Sequence, residues 1–187
     1  MSVIPSCRKS RTNSTFSKKP LFQNSVRIRK HKSFALKVSG ALDIQVRNDE
    51  KNIRVSLSFL RSKARRMLKI LGWKKAGLSV LLVNDRKIRQ LNRRYMNHDR
   101  ATDVLAFGQL KPSYRKGEIP FLGDIVISLP TTRRQARQFG NSFLYELCFY
   151  LCHGILHLMG YRDKSRKEAQ RMERIQKEIL KKVRIES

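Results

Sequence analysis

The sequence predicts an α+β protein, an α/β sandwich in which one small mixed sheet of about four strands is covered by helices. Short apolar runs with the length of strands occur four times, and longer segments with apolar residues at helical spacing lie before and after them. With 187 residues, of which 40% are hydrophobic, the chain is long enough to bury one core of ordinary size. These observations favour a single folded domain.

Four segments are predicted as strands, and they cover residues 42–48, 78–83, 103–107 and 124–128. The first alternates apolar and polar residues, which is typical of a strand with one buried face. The other three are nearly continuous apolar runs, which are typical of buried strands. A basic loop from Gln109 to Leu122 contains two prolines and a glycine and separates the last two strands.

Five segments are predicted as helices because their apolar residues recur every three or four positions. Their predicted start and stop residues are, in order, Ser56 or Ser58 to Gly72, Asp85 onward, Pro130 to Gly140, Asn141 or Ser142 to Gly160, and Ser165 onward.

The chain carries an extreme positive charge, with 42 Lys or Arg, 14 Asp or Glu and a formal net charge of +28. Such a charge indicates a polyanionic partner, which could be RNA, DNA or an anionic lipid surface. No run of about 18 uncharged apolar residues occurs, so we expect no membrane-spanning helix. Three cysteines cannot build a disulfide framework, which fits a reducing compartment.

Residues 1–40 are predicted as a basic, Ser-rich arm outside the folded domain, which we place at residues 41–187. Residues 1–42 contain ten Lys or Arg and no Asp or Glu, so they carry +10 of the total charge. Three interpretations stay open: an organelle transit peptide, a disordered arm that contacts nucleic acid, or upstream sequence added by a misplaced start codon. A transit peptide would place the protein in the mitochondrion or chloroplast, whereas a bacterial protein would be cytoplasmic.

The strongest chemical pattern lies in residues 153–163, His-Gly-Ile-Leu-His-Leu-Met-Gly-Tyr-Arg-Asp. On a helix, His153 and His157 project from the same face one turn apart, which is the spacing that zinc needs. Gly160 can end that helix in a left-handed conformation, and this turn lets Asp163 swing back as a third ligand. Three protein ligands and an open fourth position are typical of catalytic zinc. We therefore predict one Zn²⁺ per chain, although two histidines hydrogen-bonded within a core helix are the alternative.

The residue after the first histidine argues against one class of zinc enzyme. In the zinc-protease pattern, a Glu follows the first His and acts as the general base. Gly154 occupies that place here. A protease of that mechanism is therefore disfavoured, although the predicted ligands remain.

Three segments resemble the YbeY family of rRNA-maturation endoribonucleases. Residues 153–163 are similar to its signature His-Gly-x-Leu-His-Leu-x-Gly-Tyr-Asp-His. Residues 92–107 are similar to its Asn-x-x-Tyr-Arg…Asp-x-Pro-Thr-Asp-Val-Leu-Ser-Phe run, and residues 123–128 match its Gly-Asp-Ile strand. The order and the spacing of all three agree over residues 41–185.

The resemblance implies a zinc-dependent, single-strand-specific endoribonuclease that acts in the maturation of rRNA 3′ ends, in small-subunit assembly and in ribosome quality control. The implied partners are RNA, chiefly ribosomal RNA, and a small-subunit ribosomal protein, with neither a membrane nor a small-molecule cofactor. The candidate catalytic residues are His153, Asp103 and Arg100, with Asp103 as a candidate general base.

The sequence departs from the family pattern at several positions. The third His ligand is Asp163 here, and a carboxylate is an accepted zinc ligand. The Arg after the Tyr is Met96, which removes a group expected to serve the RNA substrate. The Pro and the Ser of the second segment are both Ala. Nearby arginines could supply the missing charge, and they are Arg93, Arg94 and Arg100.

Two other functions stay open. One is a ribosome-assembly factor that binds rRNA without cutting it, which the missing Arg and the large charge favour. The other is a metal-dependent hydrolase of a different bond.

Several further residues have ordinary structural interpretations. We expect Cys152 to be a core thiol pointing away from the metal, and His98 to be a solvated surface residue. Asp103 and Asp124 lie at predicted strand starts, where a carboxylate often caps a turn. The basic run over residues 162–174 is interpreted as a solvated helix face.

Overall fold

The computed structural model describes residues 42–108 and 119–185, in which strands and helices are interspersed. The elements are, in chain order, β1 (Asp43–Asn48), α1 (Leu57–Ile70), β2 (Gly77–Val83), α2 (Asp85–Met96), β3 (Val104–Gly108), β4 (Phe121–Ser128), α3 (Leu129–Phe139), α4 (Phe143–Leu158) and α5 (Arg166–Val183). The predicted arm at residues 1–40 and most of the predicted basic loop lie outside the described residues.

The four strands form one sheet in the order β1-β2-β4-β3. β1, β2 and β4 are parallel, whereas β3 pairs antiparallel with β4 and places Leu105 opposite Val126. The prediction of an α+β fold with one mixed sheet of four strands is therefore confirmed. Because β2 and β4 are parallel, their carboxyl ends lie at the same edge of the sheet, where α2 and α3 begin.

The larger hydrophobic core lies between one face of the sheet and the helices α1, α4 and α5. α4 is the most enclosed of these helices, and its Leu147, Leu151 and Ile155 have no exposed surface. A smaller core on the opposite face packs Ile88 of α2 against Val126. Within the described residues, no helix is long and apolar enough to cross a membrane. Packing on several sides fixes the position of α4, and this helix carries both histidines of the predicted metal site.

Each helix begins at a side chain that accepts a backbone hydrogen bond from its first turn, which satisfies one of the donors left free at a helix start. These N-cap residues are Ser56 for α1, Asn84 for α2, Ser128 for α3, Ser142 for α4 and Ser165 for α5. Of the alternatives predicted for α1 and α4, Ser56 and Ser142 are the caps.

The start of α2 differs from the prediction, because Asn84 rather than Asp85 is the cap. The carboxylate of Asp85 instead accepts hydrogen bonds from the hydroxyls of Ser128 and Thr131 and pairs with Arg134 at 2.8 Å. Burial raises the pKa of this carboxyl, but the hydrogen bonds outweigh burial, and the pKa of Asp85 lies below its ordinary value. Asp85 therefore ties the start of α2 to the start of α3, a tertiary contact that local sequence does not encode.

Two other boundaries also lie earlier than predicted. α3 begins at Leu129, just ahead of Pro130, because the preceding serine caps it. β4 begins at Phe121 rather than at Asp124, because Gly123 adopts a φ of +145° beside an irregularity in the register with β2. Glycine usually interrupts a strand pattern, but here it is accommodated inside the strand.

Candidate metal centre

The two histidines of the predicted metal site lie at the carboxyl end of α4. A spacing of four residues places His153 and His157 on the same face of the helix, and their Nε2 atoms are 2.9 Å apart. Both rings are largely buried, with side-chain exposures of 19% and 30%. The helix therefore presents two imidazole nitrogens to one point at its surface.

The turn after α4 brings a carboxylate to the same point. Gly160 has a left-handed φ of +88°, and its backbone N–H donates to the carbonyl of His157 at 2.9 Å. The N–H of Tyr161 donates to the carbonyl of Leu156 at 3.1 Å, so the two bonds form a Schellman motif. The turn leaves Asp163 Oδ2 at 3.8 Å from the Nε2 atoms of both histidines. The predicted return of the chain after Gly160 is therefore present.

Contacts on the far side of each ring determine which nitrogen carries the proton. His157 Nδ1 lies 3.0 Å from the carbonyl oxygen of Tyr161, and His153 Nδ1 lies 3.4 Å from the side-chain oxygen of Gln176. The Gln176 amide nitrogen donates to the Phe149 carbonyl at 2.8 Å, which leaves its oxygen facing the histidine. Since a carbonyl oxygen only accepts, both Nδ1 atoms are donors. In the neutral rings, both Nε2 atoms therefore carry a lone pair rather than a proton.

This arrangement of lone pairs fits a divalent metal ion. Two nitrogen lone pairs 2.9 Å apart repel each other unless a proton or a metal ion lies between them. Since the three donor separations are 2.9, 3.8 and 3.8 Å, the point equidistant from the donors is about 2.1 Å from each, close to zinc–nitrogen and zinc–oxygen bond lengths. Burial and the neighbouring His157 lower the pKa of His153, which favours the neutral ring that binds metal. His153, His157 and Asp163 form the one such donor cluster in the described part of the chain.

The structure explains why glycine follows the first histidine. A Cβ atom on Gly154 would lie 2.9 Å from Cγ2 and 3.0 Å from Cδ1 of Ile125 on β4, both closer than a side chain tolerates. Any larger residue, including the glutamate of zinc proteases, would push α4 away from the sheet. Gly154 therefore allows the close contact of helix and strand that positions the histidines.

Two of the predicted catalytic residues, Asp103 and Arg100, are not among the three donors. The carboxylate of Asp103 accepts hydrogen bonds from the Val104 N–H at 2.7 Å and from the Thr102 hydroxyl at 3.0 Å, so it caps the start of β3. Its negative charge also raises the pKa of His153, which opposes the lowering by burial. Arg100 is exposed, and its carbonyl accepts a hydrogen bond from the buried Asn92.

A cleft of about 470 Å³ adjoins the histidine pair. Its lining includes His157, Tyr161 and Arg162 from the metal side, and Met96 and His98 from the end of α2. His98 is exposed, as expected for a solvated surface residue, and it also lines this cleft. Met96, where the resemblance led us to expect an Arg, lines the cleft and is 41% exposed.

The remaining residues singled out in the sequence lie away from the donors. Cys148 and Cys152 are fully buried, and burial raises the pKa of each thiol to about 12, as expected for core cysteines. Asp124 lies within β4 rather than at its start. Burial raises the pKa of Asp124, and a hydrogen bond with Ser79 only partly offsets this increase.

Sequence patterns did not predict the roles of Gln176 and His98. Gln176 is only 1% exposed and lies among the apolar residues of α5. A buried amide at a core position was a signal that a hydrogen-bonding partner lies opposite, but the sequence could not identify that partner.

A mixed four-stranded sheet packs against a helix that carries two histidines, and a turn with a carboxylate follows this helix. These features define an α+β protein with three donors placed to hold a metal ion. The family model described as Endoribonuclease YbeY matches residues 43–184. The chain belongs to the YbeY family.

Individual relatives agree with this assignment. An Endoribonuclease YbeY of Geobacter metallireducens is 38% identical over 142 residues, which cover 74% of this chain and 94% of that protein. One from Anaeromyxobacter sp. (strain Fw109-5) is 46% identical over 122 residues, which cover 65% of this chain and 62% of that protein. The solution structure of TM1509 from Thermotoga maritima has a TM-score of 0.51 at 26% identity and covers 75% of this chain and 91% of that chain.

Proposed function

We propose that this protein is a zinc-dependent, single-strand-specific endoribonuclease that acts in the maturation of rRNA 3′ ends, in small-subunit assembly and in ribosome quality control. The observation that carries the proposal is the convergence of His153, His157 and Asp163 beside a cleft, in a chain with a net charge of +28. Membership of the YbeY family, whose relatives are named as endoribonucleases, supports RNA as the substrate.

The three donors suit zinc-dependent RNA cleavage, and residues around the cleft supply groups that can bind the phosphate and the nucleotide. When bound, zinc would polarise a phosphate oxygen and lower the pKa of its water. Arg162 lines the cleft beside His157 and offers a guanidinium to the phosphate. His98 offers an imidazole that can form a hydrogen bond with a bound nucleotide.

The size of the cleft supports the preference for unpaired RNA. A volume of about 470 Å³ falls within the range of small-molecule sites. It accommodates one or two splayed nucleotides, whereas a duplex would have to remain outside. Single-stranded segments expose their bases and backbone to such a site.

Met96 favours a second candidate function, an assembly factor that binds rRNA and a small-subunit ribosomal protein without cutting. A thioether offers no positive charge to the phosphate at a position where the family carries a guanidinium. On this alternative, the metal site stabilises the end of α4, and the cleft only binds RNA.

Zinc content and RNA cleavage, measured on the same preparations, test the proposal. Zinc per chain is measured by atomic emission, and cleavage is followed on single-stranded and duplex RNA with and without a chelator. We expect about one zinc per chain and cleavage of the single strand that the chelator abolishes. His153→Ala should lose both metal and cleavage, whereas the core control Cys152→Ala should keep both. A protein that holds zinc and binds RNA without cutting it would favour the assembly factor, and a metal-free active protein would contradict the proposal.

A further inference from the structure

The outer face of α5 is strongly basic. Its exposed cations within the helix are Arg166, Lys167, Arg171, Arg174, Lys177, Lys181 and Lys182. Glu178 is the one exposed carboxylate among the described residues of this helix. The opposite face is apolar and packs into the larger core.

Two of the three carboxylates of this helix have partners in this structure. Glu168 accepts hydrogen bonds from the backbone and the hydroxyl of Ser165 in the capping box. Glu173 pairs with Lys177 at 2.8 Å. Among the described residues, no carboxylate lies within ion-pair distance of Lys167, Arg174 or Lys181 in this structure. By contrast, three cations of α1 donate to backbone carbonyls, and these are Arg61, Lys63 and Arg65.

The spacing of the α5 cations is unfavourable for an isolated helix. Lys167 and Arg171 are four residues apart, and Arg171 and Arg174 are three apart, so each pair shares a face. Like charges at these spacings repel and destabilise a helix. Water and salt screen part of this repulsion, and a bound polyanion would remove more of it.

The basic face continues from the candidate metal centre. The Arg171 guanidinium lies 6.0 Å from the centroid of the Tyr161 ring, and Tyr161 lines the cleft beside His157. From Arg171, the helix carries its cations away from the cleft. The 18 residues of α5 span about 27 Å. This length is much greater than that of one nucleotide bound in the cleft.

We propose that the outer face of α5 binds the backbone of the RNA segment that flanks the scissile phosphate. A strand seated in the cleft would leave past Tyr161 and place successive phosphates along Lys167, Arg171, Arg174 and Lys181. The contacts are to phosphates, so this surface lengthens the footprint on RNA without adding sequence specificity. The inference rests on the proposed function, which places an RNA strand in the cleft.

Binding measurements on a charge-neutralised helix test this surface without requiring cleavage. The variant carries Lys167→Gln, Arg174→Gln and Lys181→Gln. The matched control removes three exposed cations of α1 and the following turn by Arg66→Gln, Lys69→Gln and Lys74→Gln. Fluorescence anisotropy gives the affinity of each protein for single-stranded RNAs of about 4 and about 16 nucleotides over a range of salt.

The wild-type protein and the control should both bind the longer RNA more tightly than the shorter one. The α5 variant should lose most of this gain, and its salt dependence on the longer RNA should be less steep by about 2, since each single-strand phosphate contact contributes roughly 0.7. Its melting temperature should equal or exceed that of the wild type, because repulsion has been relieved.

Three outcomes would overturn the inference. The first is an α5 variant with an unchanged salt slope, and the second is an equal loss in the control, which would show that total charge rather than this face matters. The third is unchanged RNA binding together with lost binding to vesicles that contain phosphatidylserine, which would assign the face to a membrane surface. If the protein binds RNA along α5 but does not cut it, the proposed endonuclease fails while the surface stands.

Discussion

His153 Nε2 lies 2.9 Å from His157 Nε2, and in the neutral rings both atoms carry a lone pair rather than a proton. This relationship depends on two acceptors behind the rings, the Tyr161 carbonyl and the Gln176 side chain. One acceptor comes from the turn that follows the helix, and the other comes from α5. Local and distant parts of the chain thus prepare the pair jointly for a cation.

Replacing Asp163 tests the third ligand. Asp163→Ala should strip zinc or weaken its binding by a large factor, because the carboxylate adds negative charge beside the dication. Asp163→His should keep zinc, and Asp163→Asn should fall between, because an amide oxygen is a neutral and poorer donor. Zinc per chain by atomic emission, measured beside a thermal melt, gives the result. Full occupancy in Asp163→Ala would remove Asp163 from the ligand set, whatever the melting temperature.

Replacing Gln176 tests how the first histidine is oriented. Gln176→Leu removes the acceptor at His153 Nδ1, and zinc affinity should fall about 10- to 100-fold, because the ring loses its orientation. Gln176→Glu keeps an acceptor and should retain more of the affinity. Competition with a chromogenic chelator measures both, and Gln170→Leu on the exposed side of α5 is the control. Equal affinities for Gln176→Leu and the control would show that the contact does not orient the ring.

Adding a methyl group at Gly154 tests the contact between α4 and the sheet. Gly154→Ala should destabilise the protein, because overpacking against Ile125 costs about 1–3 kcal/mol, whereas the gain in helix propensity is at most about 1 kcal/mol. Urea unfolding of both single variants and of the double variant with Ile125→Ala completes a mutant cycle. The methyl group should cost less in the Ile125→Ala background. An equal cost in both backgrounds would place the strain elsewhere.

Restoring an arginine on the cleft wall tests the departure from the family pattern. Met96 is 41% exposed, so Met96→Arg should leave stability unchanged. The added guanidinium should raise the rate of RNA cleavage about tenfold or more, by stabilising charge on the phosphate. Single-turnover cleavage of a labelled single strand provides the measurement, with Met96→Leu as the apolar control. An unchanged rate would show that another cation already fills this place.

The two cysteines of α4 provide a test of burial. With pKa values raised to about 12, only about one in 10⁴ of the Cys148 and Cys152 thiols is ionised at pH 8. Neither should react with iodoacetamide in the native protein, and both should react in guanidinium chloride. Peptide mass mapping follows each residue separately. Labelling of native Cys152 would contradict its placement in the core.

The sequence predicted the local geometry of the candidate metal site. The four-residue spacing of His153 and His157 defines a common helix face, because α-helical geometry is the same in every protein. Gly160 predicted the end of the helix, because glycine adopts the left-handed backbone conformation at the lowest energetic cost of any residue. The return of Asp163 followed from that turn. Interactions within about ten residues are set by backbone geometry alone, so they can be inferred without the fold.

The tertiary structure decided the parts that depend on distant residues. Gln176 faces His153 only because α5 packs against α4. His98 lines the cleft only because the end of α2 lies near the turn at Gly160. Similarly, the antiparallel pairing of β3 and the approach of Gly154 to Ile125 depend on how the sheet is assembled. Hydrophobic periodicity specifies which face of a helix or strand is removed from water. It does not specify which other element covers that face, because the hydrophobic effect has no preferred direction. The partners of each face are therefore determined by how the elements pack together.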